Sequence, residues 1–205
     1  FSENDIHALK LDTNKYSQDD PDYGNLTIAT DSDEVSYQEY WYRGDWFDNL
    51  RIYWRDFTDN HRFNNRNYSD PGNNDTCTLA GHIKVKPDEK KSARFIISWN
   101  FPNMKNYWNL PQDDGEDDDC YEADTGTEQQ GWKNYYATVF NNSKESAIYS
   151  LKNWERLYNQ TLKFKNALFS SSLPPIALEA ISANISILNT PTCLRLEDGS
   201  FYGFE

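Results

Sequence analysis

Apolar residues in this chain recur at every second position up to about residue 103. From about residue 131 they recur at every third or fourth. A strand places alternate side chains on one face, whereas a helix needs a 3.6-residue period, so no single kind of secondary structure serves both regions. The sequence therefore predicts a β-rich region over 1–103, an acidic loop or linker over 104–130 and a helical region over 131–205. No internal repeat is present.

Within the first region, Tyr23 to Thr30 alternates with Leu26 and Ile28 on one side, and Val35 to Trp41 alternates with Val35, Tyr37 and Trp41 in phase. Thr76 to Lys86 and Lys91 to Trp99 alternate on either side of Pro87-Asp88, which predicts an antiparallel hairpin with an irregularity at Gly81. One helix interrupts these strands: Trp46, Leu50, Tyr53, Trp54 and Phe57 form one face of a 3.6-residue period. Asp45 is the expected N-cap, and Asp48 places negative charge where the helix dipole favours it.

The second region predicts a short aromatic helix through Trp132, Tyr135, Tyr136, Val139 and Phe140. A long helix follows, capped by Ser143, with a stripe of Ala147, Leu151, Trp154, Tyr158, Leu162 and Leu168. Ser170 to Ser172 break it. Pro174 and Pro175 open a third helix, where a missing N–H costs nothing, and Asn189 and Pro191 close it. Alternation then returns over Cys193–Leu196 and Ser200–Phe204. The Asp198-Gly199 pair between them predicts a hairpin with a type I′ turn.

The 205 residues carry a net charge of −13, but unevenly. Residues 1–130 hold 27 acids and 13 bases; residues 131–205 hold 6 and 7. Gln112 to Glu128 alone contains nine acids and no base. The acidity is thus local. The net negative charge argues against a nucleic-acid partner, which requires a basic face. Calcium is the first cation such carboxylates would take, but with Gly115 as the invariant glycine Leu110 and Gln112 fill ligand positions of an EF-hand loop, so the stretch is expected to be mobile and metal-free. Aromatic residues make up 16% of the chain, which sets it apart from disordered polar sequences.

No apolar run approaches the length of a membrane span. Cys77, Cys120 and Cys193 are odd in number and match no metal spacing with His7, His61 or His82. They are expected to be unpaired thiols in a reducing compartment, which makes the expected location cytoplasmic and leaves no cofactor implied. Asn-X-Ser/Thr triplets begin at Asn25, Asn67, Asn74, Asn141, Asn159 and Asn184. They are expected by chance in so Asn-rich a chain, and the last two fall inside helical patterns.

Chemistry-bearing motifs are scarce. Glu39, Glu179, Glu197, Asp198 and Glu205 are carboxylates that could work in pairs, as glycoside hydrolysis requires, but no pair stands out. The seven Trp are sugar platforms or core residues. Six sit in strand or helix patterns, which favours the core, and Trp108 is the freest. There is no Gly-rich phosphate loop, no G-x-S-x-G and no H-E-x-x-H.

Several stretches, in order along nearly the whole chain, resemble a known family. They are Asp22 to Ala29, Trp46 to Phe57 with its Tyr53-Trp54-Arg55-Asp56-Phe57 end, and Phe95 to Asn103 with its Trp-x-Phe-Pro-Asn exit. Further on come Asn134-Tyr135-Tyr136, Thr161 with Phe164, Ser171 to Pro174, and Thr190 to Glu205. Together they resemble glycoside hydrolase family 116, the non-lysosomal glucosylceramidases and β-glucosidases.

The resemblance implies a mixed β and α fold: part of an N-terminal antiparallel β-sandwich followed by the first helices of an (α/α)6 barrel. Residues 1–103 would be the C-terminal part of the sandwich, 104–130 an acidic loop, and 131–205 the start of the catalytic domain. It implies a retaining enzyme acting on β-glucosides, including glucosylceramide, with a Glu nucleophile and an Asp acid/base. Neither is assigned here, because no Trp-Asn-Tyr-Glu segment occurs in the sequence. The chain is then expected to be a fragment whose partner is the remainder of its own polypeptide, inactive and poorly stable alone. Arg195 and Glu205, on the terminal hairpin, are the candidate substrate-binding residues. Two other readings remain: a non-catalytic carbohydrate-binding β-sandwich module, and an acidic protein that only makes protein contacts.

Overall fold

A computed structural model describes residues 1–3, 5–60, 62–70, 72, 74–105, 131–190 and 192–203. In chain order its elements are β1 (Ser2–Glu3), β2 (Ile6–Leu11), β3 (Asn25–Thr30), β4 (Val35–Gln38), α1 (Asp48–Asn60), β5 (Thr78–Gly81), β6 (Phe95–Asn100), β7 (Asn103–Lys105) and β8 (Gly131–Lys133). There follow a 3-10 turn at Tyr135–Thr138, α2 (Ser143–Lys152), α3 (Trp154–Phe169), α4 (Pro175–Asn184), a second 3-10 turn at Ile185–Asn189, β9 (Cys193–Arg195) and β10 (Phe201–Gly203). The fold is mixed β and α, with antiparallel strand pairs and four α-helices among the described residues.

The chain forms two compact units, each discontinuous in sequence. The first takes Phe1–Asp12, Asn25–Trp99 and Asn142–Ala167; the second takes Thr13–Gly24, Asn100–Asn141 and the segment from Leu168 onward.

In the first unit a sheet of order β1-β2-β3-β6 carries α2 on one face. Ile6, Ala8 and Ala29 of the sheet and Ala147 and Leu151 of the helix are buried together, with Ile96 and Ile148 packed against them. Ala147 and Leu151 lie one turn apart on the same face of α2, and the alanines allow the helix to come close. A polar latch fixes its first turn. The backbone N–H of Ser143 donates to Asn25 Oδ1 at 2.8 Å, and the hydroxyls of Thr27 and Ser143 hydrogen-bond at 2.8 Å. This explains a departure from the sequence pattern. Leu26 and Ile28 do share one side of β3, but the buried side is Asn25, Thr27 and Ala29, because α2 meets the sheet through small and hydroxyl side chains.

The pair β4-β5 lies against β2 and β3. Here the expected hairpin of Thr76–Lys86 with Lys91–Trp99 does not form. The turn at its tip does, with Glu89 N–H donating to the Lys86 carbonyl at 3.1 Å and Asp88 at φ 63°. But β5 pairs with β4, in the register Tyr37↔Leu79, and β6 lies beside β3. A local turn signal does not choose the strand partners. The inward residues of β4 are Ser36 and Gln38, not the aromatic phase of Tyr37.

Helix α1 starts at Asp48, where the Asp48 N–H meets the Asp45 carbonyl at 3.2 Å. Tyr53 is its anchor, stacked on Trp41 at 4.2 Å and on Phe63 at 5.4 Å between ring centroids. The buried face is therefore rotated from the expected stripe. Trp46 precedes the helix at φ 57° and is 93% exposed, and Leu50 and Trp54 are exposed as well.

Two helix limits also differ from expectation. The N-cap of α2 is Asn142, whose side chain accepts from the Glu145 N–H at 3.1 Å, and Ser143 is the first helical residue. The long helix is two helices. The Asn153 side-chain amide and backbone N–H both donate to the Tyr149 carbonyl, at 2.9 and 3.0 Å, closing α2, while its carbonyl accepts from Leu157 N–H to open α3. An Asn that can bond the backbone itself competes with helix continuation, although the apolar period runs on through it. The stop after Phe169 and the Pro-led start of α4 follow the pattern.

In the second unit β7 and β8 pair antiparallel, Met104 opposite Trp132, so Trp132 is a strand residue rather than part of an aromatic helix. The Asn100 to Asn103 segment that leaves β6 is held at every residue, Pro102 through its carbonyl, which accepts from the Asn134 N–H at 2.8 Å. Asn100 donates to the Phe140 carbonyl at 3.3 Å. Phe101 N–H donates to the Tyr136 hydroxyl at 2.9 Å, which in turn donates to the Phe101 carbonyl. Asn103 donates to the Gln18 and Asp20 carbonyls at 2.7 and 3.1 Å. A Cβ on Gly24 would come within 2.1 Å of the Phe101 ring, so any other residue there would displace that ring. The acidic stretch Gln112 to Glu128, with Trp108 and Cys120, lies outside the described residues.

Candidate functional site

The terminal hairpin forms where the sequence places it. β9 and β10 pair antiparallel, with Arg195 opposite Phe201 and Leu194 opposite Tyr202. The turn differs from a type I′. Gly199 has φ 89°, but Asp198 is not in the left-handed region. The Gly199 N–H donates to the Leu196 carbonyl and the Leu196 N–H to the Ser200 carbonyl, both at 2.9 Å. That is the three-residue loop in which a type I turn ends in a left-handed glycine. Asp198 accepts from the Ser200 N–H and hydroxyl, each at 2.8 Å, and those bonds hold its carboxyl below the ordinary aspartate pKa.

The hairpin docks on the strand and turn around residue 134. Glu197 N–H donates to the Lys133 carbonyl at 3.0 Å, Asn134 bridges Leu196, and Leu196 is buried. Two aromatic contacts accompany this docking, made from alternate sides of the hairpin. Trp132 and Tyr202 stack at 5.7 Å and 14°. The Arg195 guanidinium lies 3.7 Å above the centre of the Tyr135 ring, a cation–π contact that fixes its plane. Arg195 is exposed and makes no ion pair among the described residues. Its N–H groups are thus oriented by stacking and open to an oxygen-bearing ligand. Phe201, its partner on β10, is exposed. Such a surface, a planar cation stacked on an aromatic ring, can hold a sugar by stacking and hydrogen bonding together.

Of the two residues singled out from sequence, Arg195 lies on this surface and Glu205 lies outside the described residues. The other carboxylates do not form a working pair by their bonding. Asp198 serves its turn, and Glu39 accepts from the Asn65 side-chain amide at 3.1 Å in the first unit. Glu179 is exposed on α4. The sequence reading missed Tyr135 as the partner of Arg195. The usable signal was the alternation around Gly131-Trp132-Lys133, which marks a strand that a hairpin could join. Cys77 and Cys193 are free, and burial pushes the Cys77 thiol up from its ordinary pKa. Among the described residues no group of three or more His, Cys, Asp or Glu is placed to hold a metal ion, and no helix is long and apolar enough to cross a membrane. Asn25, the first of the sequon residues, is buried beneath α2.

Set beside known protein families, the chain falls among the glycoside hydrolases. Residues 1–157 match the family model described as beta-glucosidase 2, glycosyl-hydrolase family 116 N-term. That span is well over half of the 205 residues, and the chain belongs to family 116. None of the curated proteins matches it.

Proposed function

We propose that this chain is the sandwich region and the first helices of a retaining family 116 β-glucosidase acting on β-glucosides, glucosylceramide among them. Its catalytic Glu and Asp would be carried by sequence following residue 205. The observation that carries this is the match of residues 1–157 to the family's N-terminal model. Residues 1–103 are assigned to the sandwich, 104–130 to an acidic loop and 131–205 to the opening of the (α/α)6 domain. The packing of β4-β5 against β2 and β3 supports a second sandwich layer. Exposed apolar residues on α3 and α4, such as Phe164, Ile176 and Ile181, support helices that belong to a larger helical assembly. The free thiols fit a reducing compartment, and we assign the enzyme to the cytoplasm.

In a retaining mechanism two carboxyl groups about 5–5.5 Å apart act in turn. One attacks the anomeric carbon and forms a glycosyl-enzyme; the other protonates the leaving oxygen and then activates water. In this reading the chain's own residues bind and orient. Arg195, held flat on Tyr135, donates to a sugar or aglycone oxygen, and Glu205 accepts from a hydroxyl. The test is the full-length enzyme read from the DNA on both sides of these codons. It should contain a Trp-Asn-Tyr-Glu segment and release β-glucose first from an aryl β-glucoside, followed by NMR of the anomeric proton. Inversion, or no turnover of β-glucosides, would end the proposal. Arg195→Ala and Glu205→Gln should lower kcat/KM about tenfold or more, the loss of a hydrogen bond to substrate. Unchanged kcat/KM in both would remove these two residues from the site.

A further inference from the structure

The first unit contains a cleft that the hydrolase reading does not use. It has a volume of ≈ 310 Å³ and is lined by the Trp41–Asp45 segment, by Gly72, Asn74, Asp75 and Thr76, and by Asn49. That is the low end of the range for small-molecule sites, about 300–1,000 Å³. We propose that this cleft binds a single neutral sugar ring.

The walls are braced from within the fold. Arg43 bonds Asp75 through Nε and Nη2, both at 2.8 Å, and donates through Nη1 to the Asp70 carbonyl at 2.7 Å. Its guanidinium also lies 4.3 Å from the Tyr68 ring centre and 5.1 Å from that of Tyr40. Trp41 is fixed by its stack on Tyr53 and by its indole N–H, which donates to Thr78 Oγ1 at 2.6 Å. Glycine is needed on both sides. A Cβ on Gly72 would come within 2.1 Å of the Asp75 carboxylate, and one on Gly44 within 2.6 Å of the Tyr42 ring. The concavity therefore depends on two close approaches and a bidentate ion pair, and is not a chance gap between mobile side chains.

Charge selects the ligand. Among the described residues the one arginine in the lining is spent on Asp75, which leaves no free cation there for a phosphate or carboxylate. The side chains of Tyr42, Asp45, Asn74 and Thr76 line it and make no hydrogen bond to the described residues. Two hydroxyls, an amide and a carboxylate offer donors and acceptors in mixed order around aromatic rings. That pattern answers a ring of hydroxyls, each of which donates and accepts. A quaternary ammonium would need an aromatic cage, but Trp41 already has Tyr53 stacked on it.

The probe is methyl β-D-glucopyranoside, and the readout is ¹⁹F NMR of the protein labelled with 5-fluorotryptophan. The Trp41 resonance is assigned by its loss in Trp41→Phe. It should shift and saturate with the glucoside and should not move with phosphate or tetramethylammonium. Asn74→Ala and Asp45→Asn should each weaken the titration about tenfold, the loss of one hydrogen bond. Thr76→Val serves as a third variant if either of those melts early. Absence of a Trp41 shift, unchanged midpoints in the variants that fold, or a tighter response to either ion would overturn the proposal. The inference goes beyond the hydrolase reading and fails separately from it: Arg195→Ala should leave the Trp41 titration unchanged, whatever it does to hydrolysis.

Discussion

Helices α2 and α4 are each ten residues long, and the more apolar of the two is the less buried. α2, Ser-Lys-Glu-Ser-Ala-Ile-Tyr-Ser-Leu-Lys, buries Ser143, Ala147 and Leu151. α4, Pro-Ile-Ala-Leu-Glu-Ala-Ile-Ser-Ala-Asn, buries none of its residues, and Ile176 is 75% exposed. Apolar content sets what a helix could gain from burial; the partner surface sets what it does gain. α2 has a sheet face shaped for it, with Ala8, Ala29 and the Asn25 and Thr27 latch. The apolar face of α4 has no comparable partner among the described residues.

The largest expected effect contrasts these two environments directly. Leu151→Ala opens a cavity against the sheet and should cost about 2–5 kcal/mol in urea unfolding. Leu188→Ala, in the turn that continues α4 and 62% exposed, should change stability by no more than about 0.5 kcal/mol. Equal losses would show that Leu188 is covered in solution and would break the comparison.

The latch should matter next. Asn25→Ala leaves the buried Ser143 N–H without its acceptor, at a cost of about 1–3 kcal/mol. Asn142→Ala removes the α2 cap and should cost about 1 kcal/mol. Hydrogen exchange sharpens the distinction: Asn25→Ala should speed exchange at Ser143, and Asn142→Ala at Glu145. Loss of protection at neither amide would mean that α2 is not held by its first turn.

These contrasts show where the sequence was legible. The change of period from 2 to 3.6 located the helices, and Asp198-Gly199 located the last hairpin, because a turn or an amphipathic face is written in neighbouring residues. Partner choice is not. The turn at Lys86 to Glu89 formed, yet its flanking strands went to β4 and β3, since pairing is settled by contacts far apart in sequence. Asn153 split a helix whose apolar stripe continues through it, because one side-chain hydrogen bond decided the matter. The buried side of β3 carries Asn25 and Thr27, which a hydrophobicity pattern assigns to solvent. At the candidate surface Arg195 was readable from the resemblance of its hairpin, whereas Tyr135 becomes its neighbour only once Glu197 and Leu196 join Lys133 and Asn134.

Helix α1 lies between the two extremes, with Tyr53 packed and Trp54 exposed, and its polar anchor gives a pH-dependent effect. Asp56 is partly buried, which works against its ionised form. The hydrogen bonds from Arg66 and Arg55 outweigh this, aided by Gln38, and its pKa lies below the ordinary value. A depressed folded pKa means stability that is complete above the unfolded value, about 3.9, and lost as pH falls through the folded one. Asp56→Asn should therefore lower the melting temperature at neutral pH and flatten the acid limb of the stability profile below about pH 4. A parallel drop at every pH would assign the effect to packing instead of charge.

The smallest expected effect on stability is the most direct test of why α4 is exposed. Ile176 and Leu188 lie in solvent, so replacing them with lysine removes no packing among the described residues. Ile176→Lys with Leu188→Lys should leave the unfolding free energy within about 0.5 kcal/mol. The same double change should reduce binding of a hydrophobic dye and shift a sedimentation profile toward the monomer, because contiguous exposed apolar area drives association. In the full-length enzyme proposed above the outcome should reverse. If α4 there packs among the helices of the catalytic domain, two buried lysines without partners would prevent folding, since an unpaired ammonium cannot be buried without large cost. Tolerance of both lysines in the chain and in the full-length enzyme would mean that α4 is a surface helix in both, and its apolar face would then need another partner.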